Sequence, residues 1–279
     1  MDFYPLNLVL AVAVASATIF LGFLPTRNIR SEFFARQVIP IFFVWACIAL
    51  ASPAAIRHYH FIIAFLCFAS WWQFHRDHAL SGKMWLSIAS GLGISIGVML
   101  ILAVTPRAYP AGLSELNQTL LLTSIYLGGS VIGLAYVCYA LIQGPSGRSG
   151  VTQDQIKRYV GLLVGLVLAR AGVLLALLFL TPEMAGRPEV HNDTVPETQS
   201  TWHLFGHEVS TISSGFDQKG SISFQTLLLL GLVVMVFPAL AFIARWASRS
   251  GATTQAVSAL IGLCFGGILA ETLARLLVL

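Results

Sequence analysis

Three ionisable side chains stand inside the long apolar stretches of this sequence: Arg170, Glu271 and Arg275. Glu271 and Arg275 are four residues apart, so on a helix they share one face and can form an ion pair. Such groups in apolar surroundings often bind a small polar ligand, for example a quinone head group that exchanges protons. The structural alternative is an internal ion pair, with Arg275 extending to the surface. The sequence leaves both interpretations open.

The histidines argue against a haem within one protomer. His60 and His75 stand at the two ends of one apolar stretch, a spacing similar to that of the ligands of two stacked b-type haems. A bis-histidine haem needs histidines at matching depth on a second helix. The other histidines lie beside these two or in one polar segment: His58, His78, His191, His203 and His207. We therefore expect no haem.

One short motif could bind a metal ion if it were helical. His203, His207 and Glu208 form an H-x-x-x-H-E run. Its order and spacing differ from the zinc-protease motif HExxH. The four cysteines lie in apolar runs without CxxC spacing. We therefore expect a solvated loop around His203, no metal site and no disulfide.

The elements that carry these residues are apolar runs of roughly bilayer length. Eight runs are present: 6–24, 38–52, 61–74, 84–105, 117–143, 159–181, 224–246 and 255–279. Thr152 and Gln155 resemble a capping box that opens the sixth helix. The sequence predicts an all-α polytopic membrane protein, a bundle of about eight transmembrane helices. We expect one transmembrane domain over residues 1–279.

Composition supports this class and excludes others. The chain is 57% hydrophobic and 10% charged, with a mean hydropathy of +0.80, whereas soluble domains are about a quarter charged. The net charge of +4 is small and dispersed, so we expect lipid and no nucleic acid as a partner. No nucleotide-binding motif or Ser/His/Asp constellation is present, and we assign no catalytic residue. The first apolar run lacks the basic region of a cleavable signal peptide and is expected to stay as an anchor.

Lysines and arginines predict the orientation, because they concentrate in cytoplasmic loops. Ten lie in or beside the odd-numbered connections: Arg27, Arg30, Arg36, Arg76, Lys83, Arg148, Lys157, Arg158, Arg245 and Arg249. Four lie in the even-numbered connections: Arg57, Arg107, Arg187 and Lys219. We therefore expect both termini outside a cytoplasmic membrane. The long loop 182–223, between the sixth and seventh helices, then also faces outward.

Small residues predict where the helices approach one another closely, because glycine lets two backbones meet in lipid. Four pairs have a spacing of four: Gly93/Gly97, Gly129/Gly133, Gly161/Gly165 and Gly262/Gly266. Trp71, Trp72 and Trp85 lie near the expected cytoplasmic interface and are typical of an aromatic belt. We expect a tightly packed bundle.

Two short motifs, LAETLARLL at residues 269–277 and GGSVIG at residues 128–133, resemble those of a known family, the membrane-anchor subunits of DMSO reductase and the related polysulfide reductase (NrfD-like) proteins. Residues 269–277 read LAETLARLL, similar to the G-E-L-x-G-R closing motif of those anchors, with Ala270 and Ala274 where the family has glycines. Residues 128–133 read GGSVIG, similar to a Gly-Gly-x-x-x-Gly run. The length, eight helices and outward termini agree. The family's His-Leu-Gly-x-Pro motif is absent, and His60 matches it by location only.

The resemblance implies a membrane anchor of a molybdopterin oxidoreductase, with iron–sulfur and molybdopterin subunits as partners. Such an anchor binds menaquinol or ubiquinol near the outer face and passes electrons to the iron–sulfur subunit. The expected quinone-binding residues are Glu271, Arg275, Arg170 and His60. On this basis the chain is a non-catalytic or quinol-oxidising subunit. A secondary transporter remains the main alternative, although no strong repeat relates the two halves. A structural subunit of a larger energy-conversion complex is also open.

Overall fold

The computed structural model describes residues 4–26, 29–108, 115–144, 150–180, 201–204, 207–210 and 231–278. These residues form eight α-helices, which we number in chain order. They are α1 Tyr4–Phe23, α2 Ser31–Ala51, α3 Ala54–His75, α4 Ala79–Ala108, α5 Glu115–Gln143, α6 Gln153–Leu180, α7 Phe237–Ser250 and α8 Thr253–Val278. A π-helical turn, Leu232–Val236, precedes α7. The predicted helical bundle is confirmed.

Seven of the described helices are long and apolar enough to cross a membrane, α7 together with its π-turn. The remaining helix, α3, is long enough to cross a membrane, but polar residues near both of its ends lower its mean hydropathy. The chain is therefore a multi-pass membrane protein.

Two helices begin earlier in the chain than the apolar runs predict, because their first turns contain polar residues. α2 begins at Ser31 and α3 at Ala54, about two turns before the predicted starts.

The predicted capping box of α6 is confirmed. The Gln155 backbone N–H donates to Thr152 Oγ1 at 3.3 Å, and the Thr152 N–H donates to Gln155 Oε1 at 2.9 Å.

Helices α1 and α5 form the centre of the bundle and have the most buried spans. A Cβ built on Gly133 would stand 2.7 Å from the backbone nitrogen of Ala17, so only glycine allows this approach. The hydroxyls of Ser16 and Ser130 lie 3.2 Å apart across the same contact. This part of the predicted glycine packing is confirmed.

The other glycine pairs differ in what they contact. Cβ atoms built on Gly93 and Gly266 would meet neighbouring side chains at 3.1 and 3.4 Å. For Gly161 and Gly165, no described atom of a neighbouring element lies within 4 Å of such a Cβ. The expectation of close packing was therefore wrong for this pair, which shows that the four-residue spacing alone does not identify a helix contact.

Successive helices alternate in direction, which gives the bundle two faces. On α2 and α3, for example, Phe34 stacks on Phe74 towards one face and Trp45 stacks on His60 towards the other. We call the end with both chain termini and the α2–α3 connection the terminal face, and the other end the opposite face. One buried cluster joins α1–α4 with the end of α5, and a second joins α5–α8.

The loop 182–223 contains one described element that the sequence did not predict. Strands β1, Thr201–Leu204, and β2, His207–Ser210, pair antiparallel. His203 pairs with Glu208, and Leu204 pairs with His207. The backbone is extended here, so the helical spacing that a His203/His207 metal site would require is absent.

Side-chain hydrogen bonds tie neighbouring helices together near the opposite face. Tyr159 on α6 donates to the Phe20 carbonyl of α1 at 3.1 Å. Gln153 on α6 donates to the Ser248 carbonyl of α7 at 2.7 Å. In the same region Lys83 of α4 donates to the Leu24 carbonyl at the end of α1. These bonds occupy backbone carbonyls that the helix ends leave without an intrahelical partner.

Candidate functional site

Arg170 of α6 and Glu271 of α8 form an ion pair inside the bundle. Their side chains are only 4% and 7% exposed. The sequence suggested Arg275, one turn along α8, as the partner of Glu271. The described ion pair of Glu271 joins α6 to α8. The side chain of Arg275 lies outside the described residues, so the Glu271–Arg275 pair stays a prediction.

Gly128 of α5 provides the space for this ion pair. A Cβ built on Gly128 would stand 2.7 Å from the carboxylate carbon of Glu271 and 3.2 Å from the guanidinium carbon of Arg170. Both distances are shorter than ordinary van der Waals contacts, so an alanine here would displace one of the charged groups. The absence of a side chain at Gly128 therefore allows the carboxylate to approach the backbone of α5.

Phe237 closes the site from α7. Its ring centroid lies 5.8 Å from the guanidinium carbon of Arg170, within the range of a cation–π interaction. Phe237 follows the π-turn Leu232–Val236, and its N–H donates to the Leu232 carbonyl. The next residue, Pro238, has no N–H and cannot complete a regular α-helical ladder. The widened turn thus places Phe237 at the first position of α7, against Arg170.

The charges of the pair compensate each other in a region without bulk water. Transferring two charges out of water costs several kcal/mol per ion, and their attraction roughly offsets that cost when geometry is good. Removing one partner leaves the other charge buried, which typically costs about 3–5 kcal/mol. A buried ion pair is therefore weak support for net stability, and ionisable groups inside membrane bundles often lie on ligand or proton pathways.

His60 of α3 forms a second polar centre with Trp45 of α2. The two rings stack with centroids 5.6 Å apart and an interplanar angle of 25°. His60 is 1% exposed and Trp45 is fully buried. Among the described residues, neither ring nitrogen of His60 nor the indole nitrogen of Trp45 has a hydrogen-bond partner. Buried polar groups are normally hydrogen-bonded, so this centre can accept a polar group from a ligand or water.

Both polar centres lie in the half of the bundle next to the terminal face. At about 1.5 Å per residue, Arg170 is roughly 26 Å from the start of α6 and Glu271 about 27 Å from the start of α8. His60 is only about 9 Å from the start of α3, which begins at the terminal face. Arg170 of the ion pair contacts Phe237 of the α5–α8 cluster, and His60 stacks on Trp45 of the α1–α4 cluster. The structure therefore brings Arg170 and Glu271 together, and places His60 at similar depth among the α1–α4 helices.

The sequence analysis did not identify Phe237 and Trp45 as parts of these centres. It singled out Gly128, but not its contact with Glu271. Phe237 and Trp45 carry no motif, since aromatic residues are common in membrane helices. The signal for Phe237 was the adjacent Pro238, because proline marks an irregular helical turn. Gly128 entered only as part of the GGSVIG segment. Its contact with Glu271 depends on how α5 and α8 pack, which a single sequence does not specify.

No metal-binding cluster emerges from the described part of the chain, where no three histidine, cysteine, aspartate or glutamate side chains come together. Comparison of the chain with protein-family models, curated proteins and solved structures finds no match. The candidate site therefore rests on its own geometry: a buried Arg–Glu pair enclosed by Gly128 and Phe237, and a stacked Trp–His pair nearer the terminal face.

Proposed function

We propose that this chain is the quinol-binding membrane anchor of a molybdopterin-oxidoreductase-type respiratory complex. It lies in the cytoplasmic membrane, with both termini and the terminal face outside. Its partners are an iron–sulfur subunit and a molybdopterin subunit. The buried Arg170–Glu271 ion pair in the half of the bundle next to the terminal face is the observation that supports this proposal most directly.

Quinol oxidation requires a group that takes protons and a path for electrons. Each quinol loses two protons and two electrons on becoming a quinone. Glu271 provides a carboxylate that can accept a proton, and Arg170 provides a cation that stabilises the carboxylate before transfer. The two electrons pass to the iron–sulfur partner. The chain itself binds the head group and receives one proton on Glu271, while the second proton passes to water at the terminal face.

Access to Glu271 requires a movement, because Gly128 and Phe237 lie directly against the pair. Phe237 is the neighbour whose side chain could rotate aside, since Gly128 has none, and it follows a π-turn, which occurs often at functional sites. Displacement of its ring from Arg170 would open one side of the pair to a head group. Arg275, one turn beyond Glu271 towards the terminal face, would lie along the route of entry.

His60 supports the same function from the α1–α4 helices. Its imidazole can donate or accept a hydrogen bond, and its nitrogens have no partner among the described residues. It also lies close to the terminal face, at the location where the resembled family has its histidine motif. His60 is therefore the second group that we assign to quinol binding.

A secondary transporter is the second candidate, because the same buried ion pair could lie on a substrate path. A transporter must open alternately to both sides. No strong repeat relates the two halves of this sequence, whereas inverted repeats are the usual signature of such transporters, which favours the anchor.

Purification from native membranes in mild detergent tests the proposal. We expect an iron–sulfur protein and a molybdopterin protein to co-purify with the chain, together with bound menaquinone or ubiquinone. A homo-oligomer without other chains and without quinone would contradict the proposal and favour the transporter.

A further inference from the structure

Five aromatic rings form a continuous row along the surface of α2 and α3. In order they are Phe43, Phe42, Phe68, Trp71 and Trp72, with successive centroids 5.1, 5.7, 5.4 and 6.2 Å apart. Phe43, Phe68 and Trp72 are 58%, 39% and 40% exposed. We call this set the aromatic row. It runs from the middle of α2 to the end of α3 at the opposite face.

At the opposite face, the last two rings of the row contact two polar side chains, Arg76 and His75. The guanidinium carbon of Arg76 lies 4.5 Å from the ring centroid of Trp72. The imidazole of His75 stacks on Trp71 at 5.6 Å with an interplanar angle of 18°. Both residues are exposed. A cation–π contact restricts the motion of a guanidinium while leaving its N–H donors available.

The charged neighbours of Arg76 have other partners. The carboxylate of Asp77 accepts a hydrogen bond from Ser31 of α2. The ammonium of Lys83 donates to the Leu24 carbonyl. Among the described residues, Arg76 itself forms no ion pair. An oriented cation with free donors therefore stands at the membrane interface, at the end of a strip of exposed rings.

We propose that Arg76 and the aromatic row form a binding site for an anionic phospholipid. The phosphate accepts hydrogen bonds from Arg76, and one acyl chain lies along Phe68, Phe42 and Phe43. A lipid fits this surface because the cation lies at head-group depth and the rings continue into the apolar layer. The site is independent of the quinol-binding function, since it lies at the opposite face and away from Glu271.

Native mass spectrometry of the whole protein, titrated with phosphatidylglycerol or phosphatidylcholine in neutral detergent, tests the proposal. We expect tighter binding of phosphatidylglycerol, and about fivefold weaker binding of that lipid to Arg76→Gln. Trp72→Leu should also weaken it, because Arg76 loses its support. Arg249→Gln and Trp246→Leu, at the exposed end of α7, are matched controls that should bind like the parent. Circular dichroism confirms that each variant is folded.

Several results would overturn the site. Equal binding of the two lipids would show that the head group is not recognised. An equal loss in Arg76→Gln and Arg249→Gln would indicate general attraction to surface charge. Unchanged binding in both Arg76→Gln and Trp72→Leu would place the lipid elsewhere. Retention of quinone or of a second protein copy in place of phosphatidylglycerol would assign the aromatic row to another occupant.

Discussion

Gly128 lies directly against the carboxylate of Glu271, so close that a Cβ on Gly128 would stand 2.7 Å from the carboxylate carbon. The contact joins α5 to α8 at the depth where Arg170 reaches across from α6. A backbone without a side chain thus sets the position of a buried acid. The geometry of the ion pair depends on this glycine as much as on the two charged residues.

We expect Gly128→Ala to destabilise the protein by about 1–3 kcal/mol, because the added methyl group overlaps the Glu271 carboxylate. Thermal unfolding in detergent measures the effect. Gly161→Ala is the matched control, since no described atom of a neighbouring element lies near its Cβ position. That variant should change stability by less than about 1 kcal/mol. Equal stability of the two variants would contradict the close contact.

The ion pair should appear as strong coupling in a double-mutant cycle. Arg170→Met or Glu271→Met alone should cost about 3–5 kcal/mol, because each leaves a buried charge without its partner. The double variant should cost less than the sum of the two. Free energies of unfolding in mixed detergent and sodium dodecyl sulfate give these values. Arg158→Met, at the exposed start of α6, should be nearly neutral, and additive effects of the two Met substitutions would argue against pairing.

The orientation predicts which side of the membrane each loop reaches. A reporter that is active only outside the cytoplasm should work when fused after Leu279 or within residues 197–215. The same reporter should be silent when fused at Gly147. Activity at Gly147 would reverse the orientation and place the ion pair near the cytoplasmic side.

The hairpin of β1 and β2 should serve as a protein-contact surface without a metal ion. His203 and His207 lie on extended strands, where they pair with Glu208 and Leu204. We expect the double variant His203→Ala/His207→Ala to assemble normally and to keep its metal content, as measured by elemental analysis. Loss of one stoichiometric metal ion from the double variant would refute this assignment.

Much of the fold follows from the sequence because lipid imposes a simple length rule. Eight apolar runs predicted the eight helices, and Thr152 with Gln155 predicted how α6 begins. The starts of α2 and α3 were less predictable. Their first turns are polar, so hydropathy does not distinguish them from the loops before them.

The candidate site was predictable in its residue types but not in its pairing. Arg170 and Glu271 stand out because charges are rare in apolar helices. Local spacing on α8 favoured Arg275 as the partner of Glu271. That pair stays a prediction, whereas the ion pair with Arg170 of α6 depends on how α5, α6 and α8 pack, which spacing along one helix does not indicate. Gly161 illustrates the same point, because its spacing is typical of a helix contact, yet no described atom of another element lies within 4 Å of its Cβ position.

The affinity of the protein for a quinol-analogue inhibitor in Glu271→Gln tests the central claim most directly. Glutamine keeps the shape of the side chain, but it removes the negative charge that would receive a quinol proton and that strengthens a hydrogen bond from the head-group hydroxyl. Fluorescence titration in membranes should show binding at least about tenfold weaker than in the parent, while Glu32→Gln, an exposed acid of α2, binds normally. Normal assembly of Glu271→Gln, measured beside it, separates binding from instability. If the assembled Glu271→Gln protein binds the inhibitor like the parent, the Arg170–Glu271 pair is structural and the proposed quinol site is wrong.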